Sequence, residues 1–501
     1  VKHPLSFSGR ASNRLGSFSR GRISTLKTKT KTNTYRVCSH TLASLYEEKL
    51  RLDEKNSPSR LKFPQYGISL KKRFIRAILA SMEVFEIRGG KRLKGEIKVC
   101  GSKNATTPIL AATLLTQERC VLSNIPLIED VFRMLEILES MGAEVEWQGK
   151  RTVAITAKNI DPKKMDTELV KKLRSSILLW GSLSARFDHF SFYSPGGCLI
   201  GARPVDTHLD ALQKMGVKIR AEKKGYVVDA SERHAATVVL REFSVTGTEN
   251  AMMLAACMPG KTIIKIAAAE PHVEDLGKFL ISMGAKITGL GTNTLHVIGS
   301  KKLRGAQHSV IPDANEAATF LLLGAATQSE ITVVGAREEH LDLVLEKIRE
   351  FGVDFRVEKN RITVLPTKKL RAVKKIDTRV YPGIPTDVQA PFGVLATQAE
   401  GETFVFDTLF EGRFNYVSEI KKMGGEIKIL NPHQVVIVGK TPLTGTVIKS
   451  YDLRAGAALI IAALAAKGTT VIEEIYQVDR GYERIEERLQ KIGAAIKRID
   501  K

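Results

Sequence analysis

The stretch Leu276-Gly277-Lys278-Phe279-Leu280-Ile281-Ser282-Met283-Gly284-Ala285-Lys286-Ile287 holds, in one copy, the unit from which the fold can be read. Leu276, Phe279, Leu280 and Met283 fall at i, i+3, i+4 and i+7, which places four apolar side chains on one face of a helix. Gly284 then stands at the position just past a helix end, where a residue without Cβ is favoured. The residues after Gly284 alternate like a strand. The same turn recurs as Met141-Gly142-Ala143, Met215-Gly216-Val217, Phe351-Gly352-Val353, Met423-Gly424-Gly425 and Ile492-Gly493-Ala494. Successive glycines are 74, 68, 68, 72 and 69 residues apart, a regularity that marks internal repeats.

Each repeat is expected to hold a second helix, apolar nearly all round, at residues 108–115, 177–183, 251–258, 317–326, 388–396 and 455–466. Helices without a polar face are buried inside a domain. The units are too long for stacked helix pairs, so the expectation is an α/β protein with sheets around internal helices, in two similar lobes of three repeats.

The polar residues just ahead of those helices are Lys103-Asn104, Arg174, Ser244 with Thr246 and Thr248, Asp313, Thr386-Asp387, and Asp452 with Arg454. Asn, Ser, Thr and Asp can be plain caps. For Asp313 and Asp452, capping and a role in a site are both open. Lys103, Arg174 and Arg454 are not caps, because the helix dipole disfavours a cation at its N-terminus. Cations gathered where helix ends already attract anions point to a ligand with several negative charges.

The chain of 501 residues is 43% hydrophobic, long enough for two or three cores. Its formal charge of +23 would point to nucleic acid or membrane if evenly spread. It is not: residues 1–81 hold 18 Lys+Arg against 4 Asp+Glu, leaving 59 against 50 for the rest. Residues 1–81 are expected to be a basic, disordered extension. The first methionine is Met82, which reads as the natural start. Three accounts of the extension stay open: a mis-set start, an organelle transit peptide, or a basic binding tail. The longest apolar runs, such as Ala455 to Ala466, fall well short of the roughly 20 residues that span a bilayer. Five cysteines, without a CxxC pair or metal-ligand spacing, argue against a disulfide framework and fit a reducing compartment.

Cys100, Cys120 and Cys257 lie in apolar segments and read as small core hydrophobes. Cys198 differs. It lies in Ser194-Pro195-Gly196-Gly197-Cys198-Leu199-Ile200-Gly201-Ala202-Arg203-Pro204-Val205-Asp206, a loop rich in Gly and Pro, five residues from Arg203, where a cation can lower a thiol pKa. This loop resembles the active-site loop of the UDP-N-acetylglucosamine 1-carboxyvinyltransferase family of enolpyruvyl transferases. The resemblance extends from Met82 to the end, through Gly101-Ser102-Lys103-Asn104-Ala105, Pro385-Thr386-Asp387-Val388-Gln389, Phe410-Glu411-Gly412-Arg413-Phe414, Asp452-Leu453-Arg454 and Asp479-Arg480-Gly481-Tyr482-Glu483-Arg484.

What the resemblance implies is a two-domain inside-out α/β barrel of six βαβαββ-type repeats in two pseudo-threefold lobes. One domain would be residues 104–311, with the cysteine loop, and the other 82–103 joined to 312–501. The implied reaction transfers the enolpyruvyl group of phosphoenolpyruvate to the 3-hydroxyl of UDP-N-acetylglucosamine with release of phosphate, the first committed step of peptidoglycan precursor synthesis. The implied catalytic residues are Cys198 as proton donor to C3 and possible covalent nucleophile, Asp387 as base or hydrogen-bond positioner at the sugar hydroxyl, and Lys103. Lys103, Asn104, Arg203, Arg413, Arg454 and Arg480 would bind phosphoenolpyruvate, with Lys103, Arg203 and Arg480 on the phosphate and Arg413 and Arg454 on the carboxylate. Asn104, Arg174, Arg203, Pro204, Val205, Asp206, Thr207, Asp387 and Leu409 would bind the sugar nucleotide.

The resemblance implies no cofactor, metal, nucleic acid or membrane partner. It implies a monomer or weak homo-oligomer in the cytoplasm, or in a plastid were residues 1–81 a transit peptide. Departures are few: Thr207 stands where many relatives have Leu, and Gly181-Ser182 where many have Gly-Pro. A 5-enolpyruvylshikimate-3-phosphate synthase would need a Lys-Ser-x-Ser-Asn-Arg segment where this chain has Lys103-Asn104-Ala105-Thr106, and has no counterpart of the Cys198 loop. A nucleic-acid-binding protein is the non-enzymatic alternative, resting on the net charge alone.

Overall fold

The computed structural model describes residues 83–501 other than Cys198, Leu199, Ala202, Lys224 and Lys368. The expectations placed on residues 1–82 and on the Cys198 thiol lie outside the described residues.

All six repeat glycines have positive φ, from 81° at Gly352 to 115° at Gly284. They follow the helices Glu129–Ser140, Asp206–Lys214, Pro271–Met283, Asp342–Glu350, Val417–Lys422 and Ile485–Gln490. At every one the glycine N–H and the next N–H turn back onto the last turn of the helix, as in Gly284 to Ile281 O (2.9 Å) and Ala285 to Leu280 O (3.1 Å). This paired bonding satisfies carbonyls that a helix end leaves open, and it requires the left-handed residue that glycine supplies.

The apolar helices are Lys103–Ala112, Leu179–Arg186, Val245–Cys257, Ala314–Ala326, Gln389–Gln398 and Leu453–Ala465. Side chains all round them are buried, including Leu110, Leu183, Leu254, Leu321, Leu395 and Leu459 at 0% exposure. Ala314–Ala326, Gln389–Gln398 and Leu453–Ala465 pack on one another, and Leu179–Arg186 packs against both Lys103–Ala112 and Val245–Cys257. Among the described residues six small sheets accompany them, five of four strands and one of three.

Two hydrophobic cores result. One draws on residues from Ala105 to Ile311. The other draws on Phe85 to Val99 together with Ala317 to Ile496. The N-terminal strands explain the split: Lys94–Lys98 pairs in parallel with Glu330–Val334. Glu83–Arg88 lies between Thr469–Glu473 and Ala495–Asp500. The chain therefore crosses between cores twice, and the two crossings touch. Gly101 bridges Pro312, Ser102 N–H donates to Ile311 O at 2.7 Å, and Asp313 N–H to Cys100 O at 2.9 Å. A Cβ on Gly101 would sit 1.8 Å from Asn124 O, so only glycine fits this crossing.

The three-stranded sheet is that of the second repeat: His189–Tyr193, Gly225–Asp229 and Lys218–Glu222. After its first strand the described residues 194–197, 200, 201 and 203–205 lie outside helix and strand, ahead of the helix Asp206–Lys214. The equivalent links after Cys120–Ser123 and Lys261–Lys265 are only five residues long. Among the described residues no helix is long and apolar enough to cross a membrane.

Candidate active site

The starts of the buried helices carry the site. Ser102 caps the first of them, accepting from Ala105 N–H at 3.3 Å, so Lys103 is its first residue. Asp313 does two jobs: Oδ1 accepts from Glu316 N–H (3.0 Å), a standard cap, and Oδ2 accepts from Lys103 N–H (3.1 Å). Asp452 accepts from the N–H groups of Arg454 (2.8 Å) and Ala455 (3.0 Å), while its second oxygen accepts from Asn415 Nδ2 (2.7 Å). Both aspartates are caps, and each also steadies a neighbouring element.

Asp387, in the single turn Thr386–Val388 ahead of Gln389–Gln398, is the centre of a larger cluster. Its Oδ1 accepts from Arg413 Nη2 at 2.5 Å; its Oδ2 accepts from Arg454 Nε at 3.1 Å and Asn315 Nδ2 at 3.2 Å. Arg413 Nε also donates to Thr386 Oγ1 (3.0 Å), and Arg454 Nη1 to the Tyr482 hydroxyl (3.1 Å). The Arg413 and Arg454 side chains are 8% and 3% exposed. Burial alone would raise the Asp387 carboxyl, but Arg454, Arg413 and Lys103 outweigh it and hold it well below the usual carboxylate range. Asp452 Oδ1 also stands 4.0 Å from Arg413 Nη1, and Asp313 acts on Arg454, so the two guanidiniums sit among three buried or half-buried carboxylates.

A second cluster adjoins the first. Lys103 Nζ lies 3.5 Å from Asp130 Oδ2, and Arg480 Nε donates to Asp130 Oδ1 at 3.0 Å. Asp130 and Arg480 are both buried. Burial pushes the Asp130 carboxyl up, and Lys103 and Arg480 more than reverse this. Lys103 thus acts on both carboxylates, Asp130 and Asp387.

The long loop is clamped from two sides. Arg174, first residue of the short turn Arg174–Leu178, donates through Nη2 to Arg203 O (2.5 Å) and Pro204 O (3.4 Å). Gly197, at φ 126°, leaves no room for a side chain: a Cβ there would be 2.6 Å from Arg174 Cβ. On the other side Ile200 O accepts from Gly412 N–H at 2.9 Å. The guanidiniums of Arg203 and Arg413 share the Phe410 ring, at 5.9 and 5.5 Å from its centroid. The described ends of the loop therefore rest on Phe410 to Gly412, a segment whose neighbours belong to the other core.

Of the residues singled out from sequence, Lys103, Asp387, Arg413, Arg454 and Arg480 come together, and Arg203 joins them through Phe410. Asn104 follows Lys103, half-buried. Arg174 does not enter the Asp387 cluster but holds the Arg203-Pro204 backbone. Val205 precedes Asp206–Lys214, where Asp206 is exposed and Thr207 Oγ1 donates to Glu242 Oε1 at 2.9 Å. Leu409 is exposed beside the loop contact. Cys100 and Cys120 are buried; burial pushes both thiols up, and that of Cys257 up to about 12. Asp130, Asn315 and Tyr482 were not evident from sequence spacing. Asp130 in particular reads as an ordinary first-turn acid of an exposed helix, and its partners are remote in sequence. Among the described residues no group of three or more His, Cys, Asp or Glu could hold a metal ion.

The model of the family described as EPSP synthase (3-phosphoshikimate 1-carboxyvinyltransferase) matches residues 87–489. UDP-N-acetylglucosamine 1-carboxyvinyltransferase of Koribacter versatilis is 42% identical over 422 residues, 83% of this chain and 97% of that protein. The protein of the same name from Campylobacter hominis is 43% identical over 419 residues, 83% of this chain and 99% of its own. Among solved structures, the enolpyruvyl transferase NikO from Streptomyces tendae superposes with a TM-score of 0.76 at 25% identity, covering 84% of this chain and 99% of that one. EPSP synthase of Acinetobacter baumannii shares the fold, with a TM-score of 0.64 at 20% identity, 83% of this chain and 100% of that one being covered. The chain belongs to the EPSP synthase family and, within it, to the UDP-N-acetylglucosamine 1-carboxyvinyltransferases.

Proposed function

We propose that this enzyme moves the enolpyruvyl group of phosphoenolpyruvate onto the 3-hydroxyl of UDP-N-acetylglucosamine by addition and then elimination, releasing phosphate. The observation that carries this reading is the convergence of Lys103, Arg413, Arg454 and Arg480 on the buried-helix starts around Asp387 and Asp130. Arg413 and Arg454 suit the substrate carboxylate, and Lys103, Arg480 and Arg203 its phosphate, because forked guanidiniums match planar and tetrahedral oxyanions. In the addition step the C3 methylene takes a proton from Cys198, the sugar oxygen bonds to C2, and its proton passes to Asp387. In the elimination step the Cys198 thiolate takes a proton back from C3, the C2–O bond to phosphate breaks as the C2–C3 double bond re-forms, and the proton held by Asp387 leaves with the phosphate or to solvent.

Asp387 is ionised at neutral pH, as a base must be, but two guanidiniums make it a weak one. A substrate carboxylate that shares Arg413 and Arg454 would draw their charge away and raise its basicity at the moment it is needed. Arg174 supports a nucleotide role indirectly, by fixing the backbone of Arg203 and Pro204; Val205 to Thr207, Leu409 and Asn104 are assigned to the sugar nucleotide on the family resemblance. The reading assigns the enzyme to cytoplasmic cell-wall precursor synthesis.

The test is phosphate release by the full-length protein given both substrates. Release with phosphoenolpyruvate and UDP-N-acetylglucosamine is expected; release only with shikimate 3-phosphate would overturn the assignment. Fosfomycin, a reactive analogue of phosphoenolpyruvate, should add to Cys198, and an intact-mass spectrum without an adduct would argue against a reactive thiol there.

A further inference from the structure

We propose that Asp130 is a positioning residue that competes with phosphate for Lys103 and Arg480 and thereby sets the release of inorganic phosphate. The proposal rests on the reading that these two cations hold the substrate phosphate.

A first-turn acid is favoured by the helix dipole, and that alone would account for an exposed Asp at the start of Glu129–Ser140. It does not account for a carboxylate that is 3% exposed. Each Asp130 oxygen meets a cation from a different part of the chain: Lys103 at the start of the first buried helix and Arg480 in the last repeat. Arg480 is aimed further by Gln477, whose Oε1 accepts from its Nη1 at 3.2 Å. Nearby Arg133 is turned onto the Tyr476 ring, 5.2 Å from its centroid. Asp130 therefore holds Lys103 and Arg480 near one another against their mutual repulsion.

A phosphate dianion arriving at the same two cations competes with the Asp130 carboxylate, which already lies 3.5 Å from Lys103 Nζ and 3.0 Å from Arg480 Nε. The carboxylate opposes tight product binding and takes the cations back as phosphate leaves. No bond is made or broken by Asp130 itself.

Asp130→Asn keeps the shape and the acceptor for Arg480 Nε, removes the charge, and puts an amide NH2 in place of the oxygen that faces Lys103. Turnover by the unaltered protein is measured first: its absence would sink the functional reading and this proposal with it. Given turnover, the expected result for Asp130→Asn is product inhibition by inorganic phosphate that is roughly three- to thirtyfold tighter at low salt. The KM for phosphoenolpyruvate should fall with it, without a rise in kcat. The difference should shrink in high salt, and Asp130→Glu should return phosphate inhibition toward the native value. Should the amide variant not fold, Asp130→Ser gives the same comparison. Phosphate inhibition that is unchanged or weaker in a folded neutral variant, as judged by circular dichroism, overturns the proposal and leaves the functional reading standing.

Discussion

Replacing Asp387 by Asn tests stability and chemistry together, because the carboxylate is both the counter-ion of two buried arginines and the proposed base. Breaking a buried ion pair from one side costs about 3–5 kcal/mol. Asn keeps an acceptor for Arg413 or Arg454, and the Asp387 side chain is 21% exposed, so solvent screens part of the loss. About 2–3 kcal/mol is the expected destabilisation at neutral pH. The pH dependence has a definite sign. The folded carboxyl lies below its unfolded value, so its contribution is complete above about pH 4 and is lost as pH falls through the folded value. The native and variant proteins should therefore converge in stability under acid. Loss of a positioned base should also lower kcat by about 100- to 10,000-fold. Urea unfolding at pH 7 and pH 3 gives the first quantity and phosphate release the second. A variant retaining more than about a tenth of native kcat would refute the assignment of Asp387 as base. Unaltered stability at pH 7 would refute the electrostatic account.

His208 carries a second pH effect. It is 4% exposed, its Nε2 meets Thr246 Oγ1 at 2.8 Å, and its Nδ1 has no partner among the described residues. Burial, with Arg174 nearby, pushes its pKa down to about 3. The stability this represents is present above the unfolded value near pH 6.5 and lost as pH falls toward 3, by about 1.4 kcal/mol per unit at most. His208→Gln should flatten that slope between pH 7.5 and 5 in urea midpoints, and an unchanged slope would reject the cause. Gly412→Ala places a Cβ 2.6 Å from Ile200 C and 3.0 Å from Gly201 N, so the loop must move off its seat. Turnover should fall several-fold with little change in thermal midpoint; native turnover would show the contact to be dispensable. At Gly284 a Cβ would meet nothing within 4 Å, but φ is 115°. Gly284→Ala should thus cost about 1–2 kcal/mol by backbone strain alone, and a neutral or stabilising result by calorimetry would contradict that.

The amino-acid sequence by itself determined the repeat: six glycines past helix ends, with apolar side chains at i, i+3 and i+4 before them. It also determined the six apolar helices and the polar residues at their starts. These features are legible because they depend on the geometry of a few neighbouring residues, and a helix or turn closes on itself. What only the tertiary structure decided is which charges meet. Arg480 reaches Asp130 across 350 positions, and Arg454 reaches Asp387 across 67. The pairing of Glu83–Arg88 with the sheet of the sixth repeat, and of Lys94–Lys98 with that of the fourth, is likewise remote. Nor could spacing separate a capping aspartate from one in a charge cluster. Asp313, Asp387 and Asp452 all stand before buried helices, and only Asp387 is gripped by two guanidiniums. Coulomb forces and strand pairing act through space, so their partners are set by how the six repeats close into two cores.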